Sequence, residues 1–254
     1  MASDADVPAP PWRTPRRRVQ RRPQLSQELI VETGLAILDA EGLDGLSMRR
    51  VAQVLGTGPA SLYAHVSGKE ELLELIYDQV LGEVRLPAPD PARWQEHLRA
   101  YAEEMHRVLG RHADVARAAL AGIPTGPNAV RLAEYALGLL IEAGMPPREA
   151  SLAFDRLVLY VVGDAFEGSL HYARMRAAGV SGTEAYFRRY VGQVAAYFRS
   201  LPPDRFPYIS GNVDALIADG GEARFRYGLD LIIAGLTARM PQTAADHRSR
   251  SRDR

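Results

Sequence analysis

The side chains best placed for chemistry crowd into GTGPASLYAHVSGKEELL, positions 56–73. A proline, three glycines and the small residues Ala60, Ser61 and Ala64 stand beside Tyr63, His65 and Lys69. A phenol, an imidazole and an ammonium group are suited to donating hydrogen bonds to phosphate oxygens. The small residues keep the segment slim enough to enter a groove about 12 Å wide and to bring its backbone near base edges. Pro59 needs no amide partner at a first helical position and can touch a thymine methyl. Leu62 and Val66 have the spacing to point the other way, into a core shared with Leu55 and Ile37. Ser47 and Arg49 stand just upstream, and Arg49 could reach a phosphate or a guanine edge. The same spacing also fits a helical hairpin packed in a core, with Tyr63 half-buried.

Such a set needs short helices to hold it, and the flanking sequence supplies their signals. Ser26 is suited to cap a first helix whose apolar stripe is Ile30, Thr33, Ile37 and Ala40, and Gly42 stops it. Ser47 caps a second helix carrying Met48, Val51, Ala52 and Leu55, closed by Gly56. Pro59 opens a third helix of under two turns, ending near His65. Ser67 to Glu70 has the pattern of a capping box that opens a longer helix through about Val84. A short helix, a glycine turn and a second short helix is the spacing of a helix-turn-helix.

Leu86 to Pro91 reads as a stiff linker. Beyond it every periodic segment is helical: about 92–110, 113–121, 128–143, 147–170, 183–200 and 222–240. Residues 201–221 are the least regular. The expected fold is all-α, with a three-helix helix-turn-helix unit and its connecting helix over 25–86 and a larger helical unit over 92–240. In the last helix, Phe225, Leu229, Ile232 and Leu236 form one apolar stripe and Gly228, Leu231 and Gly235 line a second. A helix apolar on two sides must bury both.

Composition removes several function classes. The chain has no cysteine, which excludes disulfides, zinc–thiolate sites and thiol catalysis. Apolar runs such as Leu157 to Val162 fall far short of the roughly 18 residues that span a bilayer. The polar first residues carry no signal-peptide pattern, so a cytoplasmic protein without a membrane partner is expected. No HExxH, GxSxG or P-loop is present, and Gly56-Thr-Gly58 follows no strand. No catalytic residue, metal ligand or cofactor is expected.

The net charge of +0 conceals two basic ends. Residues 1–24 are proline-rich and read as a disordered arm. Its Arg16, Arg17, Arg18, Arg21 and Arg22 cluster just before the first helix, where they could enter a minor groove or simply remain solvated. Residues 241–254 read as a second disordered basic tail, ending RSRSRDR. Residues 25–86 hold ten acids against Arg49, Arg50, Lys69 and Arg85, a net charge of 4 − 10 = −6. Yet residues 45–69 carry three of those cations and no acid.

EGLDGLSMRRVAQVLGTGPASLYAHVSGKEELLELI resembles the DNA-binding domain of the tetracycline-repressor (TetR) family of bacterial regulators. The likeness extends more loosely through Trp94, Leu98, Arg111, His112, Gly163 and Glu167 to RFRYGLDLIIAGL at 224–236. It implies that Ser47, Arg49, Pro59, Ala60, Ser61, Tyr63, His65 and Lys69 contact double-stranded DNA. It also implies a homodimer on a palindromic operator, joined through helices near 147–170 and 222–240, and release by a small-molecule effector.

Where the tetracycline repressors hold a drug–Mg²⁺ chelate through a histidine, this sequence has Ala119. A largely apolar effector without metal is therefore expected, with Tyr101, Met105, Phe154, Phe166 and Glu167 as pocket candidates. Two alternatives stay open: a DNA-binding regulator controlled constitutively or by a protein partner, and a helical interaction protein without DNA affinity.

Overall fold

The computed structural model describes residues 25–112, 114–119, 124–177 and 183–241, and no strand occurs among them. The Arg-rich arm and most of the C-terminal tail lie outside the described residues. The helices in chain order are α1 (Gln27–Glu41), α2 (Met48–Leu55), α3 (Pro59–Leu62), α4 (Lys69–Leu81), α5 (Trp94–Leu109) and α6 (Val115–Ala119). They continue with α7 (Pro127–Glu142), α8 (Pro147–Ala177), α9 (Thr183–Ser200), α10 (Pro207–Ser210), α11 (Val213–Leu216) and α12 (Gly221–Arg239).

The caps explain the first helices. Ser26 Oγ accepts from the Leu29 amide at 3.3 Å, and Ser47 Oγ accepts from the Arg50 amide at 3.1 Å. Each satisfies an amide that the first turn leaves unpaired. Gly56 ends α2 in the left-handed region at φ 64°, where a glycine avoids the Cβ penalty. Only a single helical turn, α3, follows, held from below by the fully buried Leu62 and Val66.

Two local expectations differ. Ala40 is exposed, because the buried face of α1 runs through Ile30, Val31, Gly34, Leu35, Ile37 and Leu38 instead. At α4 the cap residue is Gly68, without a side-chain cap, and the carboxylate that reaches back to the Ser67 amide belongs to Glu71 rather than Glu70. The helix starts later than the Ser67–Glu70 pattern implies, so Glu71 holds the returning position.

Helices α5, α7 and α8 pack together, α12 lies across α5 and α8, and α6 sits between α4 and α8. Helix α8 continues past residue 170 to Ala177. After α9, single-turn α10 and α11 occupy part of the stretch that lacked periodicity. Residues 86–90 have no regular structure, and Pro91–Arg93 makes a 3-10 turn capped by Asp90. One buried apolar core nevertheless runs from Ile30 through Leu72, Leu98, Leu139 and Leu157 to Ile233.

A polar joint fastens α4 to α7. Gly126 offers α7 no capping side chain, and Asp78 of α4 takes that part. Its carboxylate accepts from the Ala129 amide at 2.9 Å and from Asn128 Nδ2 at 3.1 Å. Arg131 of α7 donates in return to the carbonyls of Leu81 and Val84, at 3.2 and 3.3 Å. The C-terminal end of α4 is thus held from the side of α7.

Candidate functional site

The fold turns the two faces of α3 apart. Leu62 is 0% exposed while its neighbour Tyr63 is 54% exposed, and Pro59, Ala60 and Ser61 are also open. Their common exposed surface is small and nearly flat, with the phenol at its edge. Arg49 is exposed on the first turn of α2 and makes no ion pair among the described residues. Arg50, one position on, is committed: its guanidinium grips Glu41 at 2.6 Å and reaches Gln53 at 3.3 Å. The bond from Arg50 holds the Glu41 carboxyl below the usual glutamate range.

The other predicted contacts have structural duties too. Ser47 Oγ serves as the α2 cap, leaving its hydroxyl proton to donate outward. Lys69 Nζ lies 3.4 Å from the Leu43 carbonyl, near the turn between α1 and α2. The His65 carbonyl accepts from Gln27 Nε2 at 3.1 Å, so the first turn of α1 abuts the end of α3.

A second feature is a cavity of about 1460 Å³ between α5, α8, α9 and α12. Its wall combines Leu109, Ala165, Val191 and Val194 with ionisable side chains from several helices. His106 Nε2 lies 2.8 Å from Asp164 Oδ2, and the His106 ring stacks on Phe225 with centroids 4.0 Å apart. Phe225 stacks in turn on Tyr160, whose hydroxyl donates to the Phe225 carbonyl at 2.7 Å. Arg224 reaches Glu167 at 3.4 Å. At the end nearest α1, His112 bridges Asp39 at 3.0 Å and Glu83 at 3.2 Å.

Of the five pocket candidates, only Glu167 lines this cavity. Tyr101 and Met105 are 1% and 2% exposed and belong to the core. Tyr101 stacks on Tyr135 and meets the edge of Phe154, and its burial pushes its hydroxyl pKa well up. Phe154 and Phe166 are half-buried against that core. An apolar side chain at helical spacing does not reveal which side it faces when neighbours pack on both. The lining residues His106, Asp164, His171, Phe187 and Tyr190 went unassigned in the sequence, although Asp164, Gly168 and His171 lie on one face of α8 by their i, i+4, i+7 spacing.

Ala119, at the end of α6, is half-buried against the core. Among the described residues no group of three or more His, Cys, Asp or Glu is arranged to hold a metal ion. None of the described helices is long and apolar enough to cross a membrane.

A short exposed helix riding on a capped partner, ahead of a helical body with an internal cavity, defines a helix-turn-helix regulator with a sensor region. A family model described as bacterial regulatory proteins, tetR family, matches residues 30–76, and one described as tetracyclin repressor-like, C-terminal domain, matches residues 86–240. An HTH-type transcriptional regulator of Saccharopolyspora erythraea is 32% identical over 91% of this chain and 93% of its own. The HTH-type transcriptional repressor DrrR1 of Streptomyces coeruleorubidus is 34% identical over 91% of this chain and 84% of its own. Among solved structures, ActR of Streptomyces coelicolor in complex with actinorhodin superposes with a TM-score of 0.76 at 39% identity, covering 87% of this chain and 100% of that one.

The chain belongs to the TetR family of bacterial regulatory proteins. It is a ligand-responsive, DNA-binding transcriptional repressor.

Proposed function

We propose that two copies of this chain bind a palindromic operator through the open face of α2 and α3, and that a small molecule in the α5–α8–α9–α12 cavity releases them. The observation that carries the DNA-reading assignment is the split of α3. Leu62 is sealed in the core, while Pro59, Ala60, Ser61 and Tyr63 stand open beside the unpaired Arg49. In this reading Pro59, Ala60 and Ser61 approach base edges, Arg49 meets a base or phosphate, and Ser47, Tyr63, His65 and Lys69 donate to the backbone. The Gln27–His65 bond sets the start of α1 beside the end of α3, which supports a role for the preceding Arg16–Arg22 segment in the adjacent minor groove.

The dimer rests on an outward apolar stripe. Leu152 and Leu159 of α8 are 52% and 48% exposed, and Tyr227 and Leu231 of α12 are 67% and 58% exposed. Gly163 and Gly235 leave open space for close approach. Gly228, assigned by sequence to the second stripe, instead faces Tyr160 within the chain, where any side chain would collide with the phenol ring. Joining these stripes across a twofold axis would place two copies of α3 about one DNA turn, ~34–36 Å, apart.

Coupling follows from what the cavity touches. Asp39 and His112 lie on its wall and also tie α1 to the α5–α6 turn. Glu83, just beyond α4, shares the same imidazole. A ligand that displaces His112 loosens both ties, and it releases DNA only as far as it favours the loosened state. ActR with bound actinorhodin supports a small-molecule effector for this cavity. The test is to select operator DNA from random sequence with the full chain and measure binding by wild type and Arg49→Ala. A selected palindrome bound more weakly by the variant is expected, and recovery of no palindrome would overturn the reading.

A further inference from the structure

We infer that the cavity is a two-ended recognition site for a planar, linearly fused aromatic ligand with a hydrogen-bonding group at each end. The inference rests on the effector role proposed for the cavity and adds the ligand's chemistry.

One end is anchored at His106 and Asp164. The imidazole is fixed twice, by the 2.8 Å contact to Asp164 and by stacking on Phe225, so the pair is presented as a rigid polar point. The other end is His171. Its Nδ1 is buried and has no hydrogen-bond partner. Buried polar atoms are normally paired, and one left open on a cavity wall is the group a ligand would satisfy. The His171 ring is flanked by Phe187 and Tyr190, with centroids at 5.1 and 5.3 Å. These rings offer edges and faces to a flat aromatic body.

The distance between the ends is set by α8. Asp164 and His171 are two turns apart on one helix face, about 10 Å along the axis. Between them stands Gly168, which lines the cavity and has open space where a Cβ would project. The result is a flat shelf with a polar group at each end. Its length is comparable with the span between hydroxyls on the two outer rings of a linear three-ring system.

The test is calorimetric titration of the full chain with three probes. These are a dihydroxyanthraquinone with one hydroxyl on each outer ring, its isomer with both hydroxyls on one ring, and unsubstituted anthraquinone. Wild type should prefer the two-ended isomer by about tenfold or more. His171→Phe should abolish that preference while still binding the one-ended isomer. Gly168→Leu should block all three. Operator affinity of each variant serves as the folding control. Equal binding of the isomers, a preference that survives in His171→Phe, or failure of every probe to bind overturns the inference. A preference without operator release would leave the inference standing and remove the effector role instead.

Discussion

The reading face and the sensor cavity solve opposite problems. The reading face is drawn from residues 47–69, one short stretch, and it leaves Arg49 unpaired and Tyr63 in the open. The cavity is assembled from α5, α8, α9 and α12, and most of its charges are matched in place: His106 with Asp164, Arg224 with Glu167, and His112 with Asp39 and Glu83. A surface that meets a polyanion gains from unpaired donors, because each phosphate contact releases counterions. A cavity that must stay stable when empty cannot keep bare charges, because desolvation without a partner is costly. Nδ1 of His171 is a polar atom on the wall that breaks this pattern.

The largest expected effect sharpens the contrast at its base. Leu62 is the fully buried anchor of α3, and Leu62→Ala should destabilise the chain by about 2–5 kcal/mol, read as a lowered thermal midpoint with loss of operator binding. Asp78→Ala removes the cap that α4 gives α7 and should cost about 1–2 kcal/mol in denaturant unfolding. It should also blunt the response to effector, since α4 is then less firmly held.

His112→Ala acts on the tie between the two regions. Operator affinity should be retained, while the shift in that affinity caused by a bound effector falls by about 0.5–2 kcal/mol. Full retention of the shift would break the proposed route through Asp39 and Glu83. The smallest effect belongs to Arg50→Ala. Its partner Glu41 has a lowered pKa, so the pair contributes above the ordinary glutamate range and that contribution is lost as pH falls through the lowered value. Wild type and Arg50→Ala should therefore converge in stability in acid, and the variant should lose less operator affinity than Arg49→Ala.

Legibility divides along the same line. Ser26, Ser47, Gly42 and Gly56 announce α1 and α2 because caps are local, and Pro59 marks the start of α3 for the same reason. The helical character of the larger region was equally readable from periodicity. Its interior was not. Tyr101 and Met105 have the spacing of pocket walls, but α7 and α8 pack on that side of α5 and bury them. Asp78 has no local signal at all, because its partners Asn128 and Ala129 lie 50 and 51 positions away. The cap at Ser67 slipped by one residue to Glu71, a shift that only the three-dimensional start of α4 decides.

The measurement that bears most directly on the reading face is operator affinity as a function of salt for wild type, Arg49→Ala and Tyr63→Phe. Weaker binding by both variants is predicted, and the log–log salt slope should flatten by about 0.9 for each phosphate contact removed. Unchanged affinity and unchanged slope in both variants would contradict the assignment of this face to DNA.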